Sequence, residues 1–246
     1  MKLSFVIPSY NCVTWLPHAV QSVMDQTHPD CELIIVNDGS TDRTIQYLEW
    51  LSKQINKYPI IIRNTPNQGR SAARNEGNKL ATGEAILILD ADDLATPNRA
   101  SLTYQKFKDK SVDYVYGSAT VIDALGRKLN EVRANVFNKA RAEASLYNGI
   151  VHSTAAYRKS FAMKYPHETG EVARLGIDDW AQQIRAVKDG VKFDLIPQTI
   201  AVYRVLPSSI SVVRDEEEVT RFKREFLKQF GVASQAIEMM GVIPTI

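Results

Sequence analysis

Glu84-Ala85-Ile86-Leu87-Ile88-Leu89-Asp90-Ala91-Asp92-Asp93 decides how the chain is read. The apolar run Ala85–Leu89 is strand-sized, and it stops at once in an acidic turn. Such a run, without polar alternation, fits a strand covered on both faces. Two earlier segments share this build. Leu3–Ile7 runs into Pro8-Ser9-Tyr10-Asn11, and Glu32–Val36 runs into Asn37-Asp38-Gly39-Ser40. Between them, Leu16, Ala19, Val20, Val23 and Met24 recur at helical spacing and make one apolar face. A second helix is expected from about Thr41 to Gln54, a third strand over Pro59–Ile62, and a third helix from Gly69 to Ala81. Pro97 marks a further helix start.

This alternation predicts an α/β fold: a mixed, mostly parallel central sheet with helices on both faces. Ligands in such sheets bind beyond the carboxyl ends of the strands. The polar stops after three of the strands should therefore gather on one rim. The second half is less regular. Strands are expected over Val112–Gly117, Ser153–Tyr157, Lys192–Leu195 and Thr199–Tyr203, with a hairpin turn at Asp123–Gly126. Helices are expected over Asn138–Tyr147, Ile177–Lys188 and Asp215–Phe230. No repeat or linker is visible, so residues 1–246 are read as one domain. About 1–118 form the half under the rim, and about 119–246 complete the sheet.

The 246 residues carry 30 basic and 28 acidic side chains, a net charge of +2, which argues against nucleic-acid binding by bulk electrostatics. Cys12 and Cys31 are too few for a disulfide framework or a four-ligand structural zinc site. The apolar stretch before Pro8 is too short for a signal peptide, and no run approaches a membrane span. The expectation is a cytoplasmic protein, with peripheral attachment to the inner face of a membrane compatible with the sequence.

Asp90 and Asp92 can converge on one hard cation, Mn2+ or Mg2+, that also takes phosphate oxygens. Taken alone, the same residues equally suit an acidic loop before a helix. Asp38 can accept from a base N–H or a ribose hydroxyl, or make a turn before Gly39. Tyr10 can stack on a base, although a surface aromatic is the ordinary reading. Arg74 has the reach for a phosphate or for the aspartates; otherwise it is a solvated helical cation. Asp178 and Asp179 open a helix, where acidic residues are favourable anyway, and one of them can be a general base. Arg158 and Arg204 are plausible phosphate contacts, and with His152 they carry little signal singly.

Together the segments are specific. SFVIPSYN (4–11), QSVMDQTHPDCELIIVNDGSTDRT (21–44) and NQGRSAARNEGNKLATGEAILILDADD (67–93) resemble the family 2 glycosyltransferases of the GT-A, Rossmann-like fold. HSTAAYR (152–158), IDDWAQQIRAVKDG (177–190) and IAVYRVLPSSIS (200–211) match more loosely. The resemblance implies an inverting, metal-assisted transfer of a single sugar. The donor would be a nucleotide diphosphate sugar, with UDP the favoured nucleotide. The acceptor would be a hydroxyl of a glycan, a lipid-linked saccharide or a small molecule. It assigns residues 1–118 to the donor and 119–246 to the acceptor. By the same resemblance Pro8, Tyr10 and Asp38 flank the base, with Arg74 and Asp90 completing the nucleotide site. Asp92 and Asp90 hold the metal, Arg204 meets the diphosphate, and Asp179 is the base with Asp178 as the alternative.

Departures from the family pattern are Asn37 in VNDGS, Asp178 where glutamate is commoner, and Leu206 where many relatives have histidine. His152 is a candidate to supply that missing metal ligand. No QxxRW-like motif appears, which argues against processive synthases. Two other functions compete: an inactive, glycosyltransferase-like binding protein, and a nucleotidyltransferase. The latter usually opens with a glycine-rich loop where this chain has Pro8–Asn11.

Overall fold

A computed structural model of the chain describes residues 1–137 and 150–229. The first half alternates as the apolar pattern requires. It runs β1 (Leu3–Ser9), α1 (Leu16–Met24), β2 (Cys31–Asp38), α2 (Thr44–Leu51), β3 (Ile60–Thr65), α3 (Arg70–Leu80) and β4 (Ala85–Ile88). β5 (Leu94–Ala95) and α4 (Arg99–Lys106) follow. The second half contributes β6 (Tyr114–Ile122), β7 (Lys128–Val132), a 3-10 turn (His152–Thr154), β8 (Ala156–Arg158), α5 (Lys159–Lys164) and α6 (Glu171–Arg174). It ends with α7 (Asp178–Lys188), β9 (Phe193–Arg204), α8 (Ile210–Val213) and α9 (Glu216–Gln229).

One sheet runs through both halves in the order β3-β2-β1-β4-β8-β6-β9-β5, with β7 paired to β6. β1, β2, β3 and β4 are parallel, and β6 and β9 pair in parallel across the sheet. β8, β7 and β5 are antiparallel to their neighbours. Strand alternation divides the core. Leu3, Phe5, Ile7, Leu33, Ile35 and Leu87 face one layer, where Leu16, Ala19, Leu48 and Ala100 of the helices cover them. Val6, Ile34, Val36, Ile86 and Ile88 face the other, against Ala73, Phe161, Tyr165 and Ala186. Each fully buried aliphatic side chain of this kind contributes about 1.5–3 kcal/mol. Helices thus cover both faces, as expected.

α3 lies close to β1 because Gly77 has no side chain: a Cβ there would collide with Cγ1 of Val6. The closeness aims the first turn of α3 over the rim. A third cluster holds α7 against α9, with Trp180 on Phe226 at 5.5 Å between ring centroids.

Several expectations are corrected. The helix expected from Thr41 starts at Thr44, because Asp42 accepts the Thr44 N–H at 2.9 Å and turns the preceding residues. The strand expected at Ser153 is a 3-10 turn followed by β8. The two short strands expected at 192–203 are one strand, β9, whose register shifts opposite Gly117 and Ser118. Arg158 is no phosphate contact. Its guanidinium donates to the carbonyls of Val112, Phe107 and Asp109 and lies over the Phe107 ring. The helix expected at 138–147 and the end of the chain from 230 lie outside the described residues.

Candidate active site

The polar strand ends do meet on one rim. They bound a hollow of about 720 Å3 lined by Pro8, Tyr10, Asp38, Asp90 and Asp92, with Arg70, Arg74 and Arg204 on its wall. A second hollow, about 360 Å3, is lined by His152, Asp178, Asp179 and Trp180 beside apolar side chains of β6 and β7. The two share Arg70, Arg74, Asp90 and Tyr203.

The rim is fixed by its turns. Asn11 takes a positive φ of 49°, and its Oδ1 accepts the N–H of Thr41 at 2.7 Å. This ties the end of β1 to that of β2 and leaves Tyr10 half exposed over the first hollow. Asn37 donates to Asn64 at 2.9 Å and accepts from Ser40 N–H, so its amide holds the turn at this departure from the family pattern. Asp38 makes no turn of its own. Its two oxygens accept the backbone N–H groups of Gln68 and Gly69, each at 2.8 Å, and anchor the loop that leads into α3.

Arg74 joins the two hollows. Its guanidinium donates to Asp90 at 2.7 Å and to Asp178 at 2.9 Å. Burial opposes its charge, but the two carboxylates more than offset this and hold it protonated. Asp178 is also met by Nδ1 of His167 at 3.0 Å. Despite its burial, Arg74 and His167 hold its carboxyl well below the usual range. Asp179, the next residue, has no comparable partner at hydrogen-bond distance among the described residues; His152 Nδ1 is 4.0 Å away. Burial and the neighbouring Asp178 push its proton affinity up, and its carboxyl faces the second hollow. An ionisable carboxyl with raised affinity, facing a cavity, is suited to accept a proton.

Asp92 and Asp90 form a hard-oxygen pair on the first hollow. Burial and the charge of Asp90 push Asp92 up to about 6. Arg204 and Arg74 oppose the rise without cancelling it, and a divalent cation would relieve it further. Among the described residues no three His, Cys, Asp or Glu side chains converge on a metal position. A cation held by this pair would have to take its other ligands from substrate oxygens and water. His152 shares the second hollow with Asp90, whose carboxyl is held down against burial by Arg74 and then by His152, and Nδ1 of His152 lies 4.0 Å from Oδ2 of Asp179. Asp93 sits behind the pair, accepting from Ser153 Oγ and from the Arg204 N–H.

Arg204 reaches the first hollow from β9. Its side chain donates to the carbonyls of Asp92 and Asp123 and lies 4.3 Å over the Trp15 ring, so its charge is held in place. Sequence reasoning missed Trp15, His167 and Arg70. Arg70 precedes Arg74 by one turn on the same face of α3, a spacing readable in advance. Trp15 and His167 gave no sequence signal, because their partners are distant in the chain.

The chain belongs to glycosyl transferase family 2, whose sequence model matches residues 4–165. An uncharacterised glycosyltransferase of Methanocaldococcus jannaschii is 27% identical over 207 residues, covering 82% of this chain and 70% of its own. One from Nostoc is 37% identical over 147 residues, covering 55% of this chain and 45% of its own. The poly(ribitol-phosphate) beta-glucosyltransferase of Bacillus spizizenii is 30% identical over 163 residues, 65% of this chain and 25% of its own. Alignments to several curated relatives thus span less than half of those relatives' length. Among solved structures, S. aureus TarS 1-349 in complex with UDP-GlcNAc has a similar fold, with TM-score 0.73, 18% identity, and 97% and 70% of the two chains covered. The mannosyltransferase PcManGT of Pyrobaculum calidifontis, in complex with GDP-Man and Mn2+, gives TM-score 0.66 at 17% identity, covering 99% and 77%. No helix of the described residues is long and apolar enough to cross a membrane.

Proposed function

We propose that the chain is an inverting, metal-assisted glycosyltransferase that moves one sugar from a nucleotide diphosphate sugar to an acceptor hydroxyl. The observation that carries this reading is the shared wall. One hollow presents Asp90 and Asp92 with Arg70, Arg74 and Arg204, the other presents Asp179, and Arg74 spans them. Donor and acceptor are then held on either side of one ion-paired bridge.

Pro8 and Tyr10 receive the base, and Asp38 offers its remaining lone pairs to the base edge while it anchors the loop. Arg70 and Arg204 neutralise the diphosphate. Asp92, with Asp90, would hold Mn2+ or Mg2+, which supplies charge neutralisation at the leaving diphosphate when bound. Asp179 takes the proton of the acceptor hydroxyl. The oxygen forms its bond to the anomeric carbon as the carbon–oxygen bond to the diphosphate breaks, and attack from the opposite face inverts that carbon. Nucleoside diphosphate leaves with the bonding pair. Asp178 stays ionised, held by Arg74 and His167, and keeps the bridge closed.

UDP sugars are the first donors to test and GDP-mannose the second, since UDP-GlcNAc and GDP-Man occupy solved structures of similar fold. Cytoplasmic location, where such donors are made, and a saccharide or lipid-linked acceptor complete the proposal. The test is thermal unfolding against nucleotide diphosphates and nucleotide sugars, with and without Mn2+. A ligand at a hundred times its dissociation constant raises stability by about 2.7 kcal/mol. A Mn2+-dependent shift with one nucleotide is the expected result; no shift with any of them refutes donor binding.

A further inference from the structure

The steps above leave Asp93 unused. It is fully buried and lines neither hollow. Its carboxyl nevertheless reaches both sides of the donor site. Oδ1 accepts the backbone N–H of Arg204 at 2.7 Å, and Oδ2 accepts the hydroxyl of Ser153. The Ser153 oxygen in turn accepts the backbone N–H of Asp90 at 3.3 Å. From β9, Arg204 Nε returns to the carbonyl of Asp92 at 3.0 Å. The turn that carries Asp90 and Asp92 is thus tied to the strand end that carries Arg204, and Asp93 lies at the junction.

Arg99 completes a polar layer beneath the rim. It is fully buried, and its Nη2 donates to the carbonyls of Ile88 at 2.7 Å and Ala155 at 3.1 Å. Those residues end β4 and follow the 3-10 turn. Burial pulls the guanidinium down to about 9, and Asp93 and then Asp90 oppose this. Apolar side chains of similar volume often stabilise such a position as well as buried charges do. Stability therefore does not account for the layer. What a carboxylate adds is direction, because its two oxygens hold two donors at fixed places.

We propose that Asp93 is a positioning residue for the donor: it sets Arg204 against the turn of Asp90 and Asp92, so that a diphosphate and its cation meet charges already held at one spacing. Ser153 is the arm of this device that reaches Asp90. The inference rests on the donor-binding reading, with Arg204 at the diphosphate. Residues of this kind, which hold the groups that touch a metal, are commonly worth about 10–100-fold in affinity.

The test measures binding of uridine by NMR titration and of UDP by calorimetry, in EDTA and in Mn2+; guanosine and GDP replace them if the thermal screen selects that base. Uridine, which carries no phosphate, binds the wild type, Asp93→Ala, Asp93→Asn and Ser153→Ala alike. Asp93→Ala weakens UDP about fivefold in EDTA, the effect of one hydrogen bond, because Arg204 is no longer held. It also lowers the gain in UDP affinity on adding Mn2+ by about 10–100-fold. Ser153→Ala keeps the EDTA value and lowers the Mn2+ gain, since it cuts the arm to Asp90 alone. Asp93→Asn recovers part of both losses, because its carbonyl accepts the Arg204 N–H and its amide donates to Ser153. If Asp93→Ala does not fold, the contrast between Ser153→Ala and the wild type decides. Uridine and UDP weakened together, which marks a merely structural loss, overturns the inference. So does a Mn2+ gain that is absent in the wild type or unchanged in the variants. A wild type that binds no nucleotide with Mn2+ overturns the parent reading instead, and this inference with it.

Discussion

Asp178 and Asp179 are adjacent in sequence and opposite in proton affinity. The first is locked to Arg74 at 2.9 Å and His167 at 3.0 Å; the second faces a cavity with its carboxyl pushed up. Consecutive residues at the start of a helix point about 100° apart. One therefore enters the ion-paired bridge and the other the hollow.

This separates their roles by mutation. Asp179→Asn should lower transfer by about 10²–10⁴-fold, the usual contribution of a general base, while nucleotide-induced thermal shifts persist. Asp178→Asn should lower stability as well as activity, since Arg74 keeps a buried charge with one partner fewer. A variant pair in which Asp178→Asn retains full activity would falsify the assignment.

Asp178 and Asp179 also predict opposite pH behaviour. The folded-state affinity of Asp178 is depressed, so its pairing stabilises above the ordinary carboxylate range, about pH 4. That stability is lost as pH falls toward its lower folded value. Asp179 must be ionised to act, and its affinity is raised, so the acidic limb of the rate profile should lie above pH 4. A kcat profile with its acidic limb at or below pH 4 counts against Asp179 as base.

Asp92 links pH to cation binding. Its carboxyl sits at about 6 without a cation, so binding there displaces a proton below that pH. Mn2+ affinity should fall as pH drops through about 6, while metal-free protein should lose stability as pH rises through the same value. Asp92→Asn should remove both effects. Calorimetric titration of Mn2+ with nucleotide at pH 5 and pH 7 checks the first; melting curves check the second.

The Arg74 bridge is predicted to matter for folding before chemistry. Its side chain is 5% exposed and that of Asp178 is 3% exposed. Breaking a buried pair of this kind costs about 3–5 kcal/mol. Arg74→Met should show that loss in urea unfolding, and Arg74→Lys should recover only part, since an ammonium lacks the fork that meets both carboxylates. Equal stability of Arg74→Met and wild type would exclude the bridge as a structural element.

Gly77→Ala tests the packing that aims α3 at the rim. The added methyl collides with Val6, and overpacking of this sort costs about 1–3 kcal/mol. The melting temperature should fall, and nucleotide binding should weaken with it, because Arg70 and Arg74 ride on the same helix.

The first half of the fold was legible because its signals are local. Strands such as Leu33–Val36 are continuously apolar, and each ends in turn residues within its own segment. The second half was less legible because its strands depend on distant partners. β9 was read as two pieces, since Pro197 and Gln198 interrupt its apolar pattern, yet pairing with β6 carries the strand through. The same divide runs through the site. Asp90, Asp92 and the Asp178–Asp179 pair were visible as residues, but their surroundings were not. Asp38 was read as meeting a base or making a turn, and the structure shows it anchoring a loop instead of turning, because its partners Gln68 and Gly69 lie some thirty residues on.

By itself the sequence determined the α/β alternation, the rim on which polar strand ends collect, the family, and the acidic residues available for chemistry. Each of these follows from the order of apolar and polar residues over short spans. Tertiary structure alone decided which acid is held ionised and which has raised proton affinity. It also decided that one arginine joins two hollows, and that His152 comes within 4.0 Å of Asp179. Those outcomes depend on burial and on charges brought together from α3, β4 and α7, and electrostatic surroundings exist only once the chain has folded.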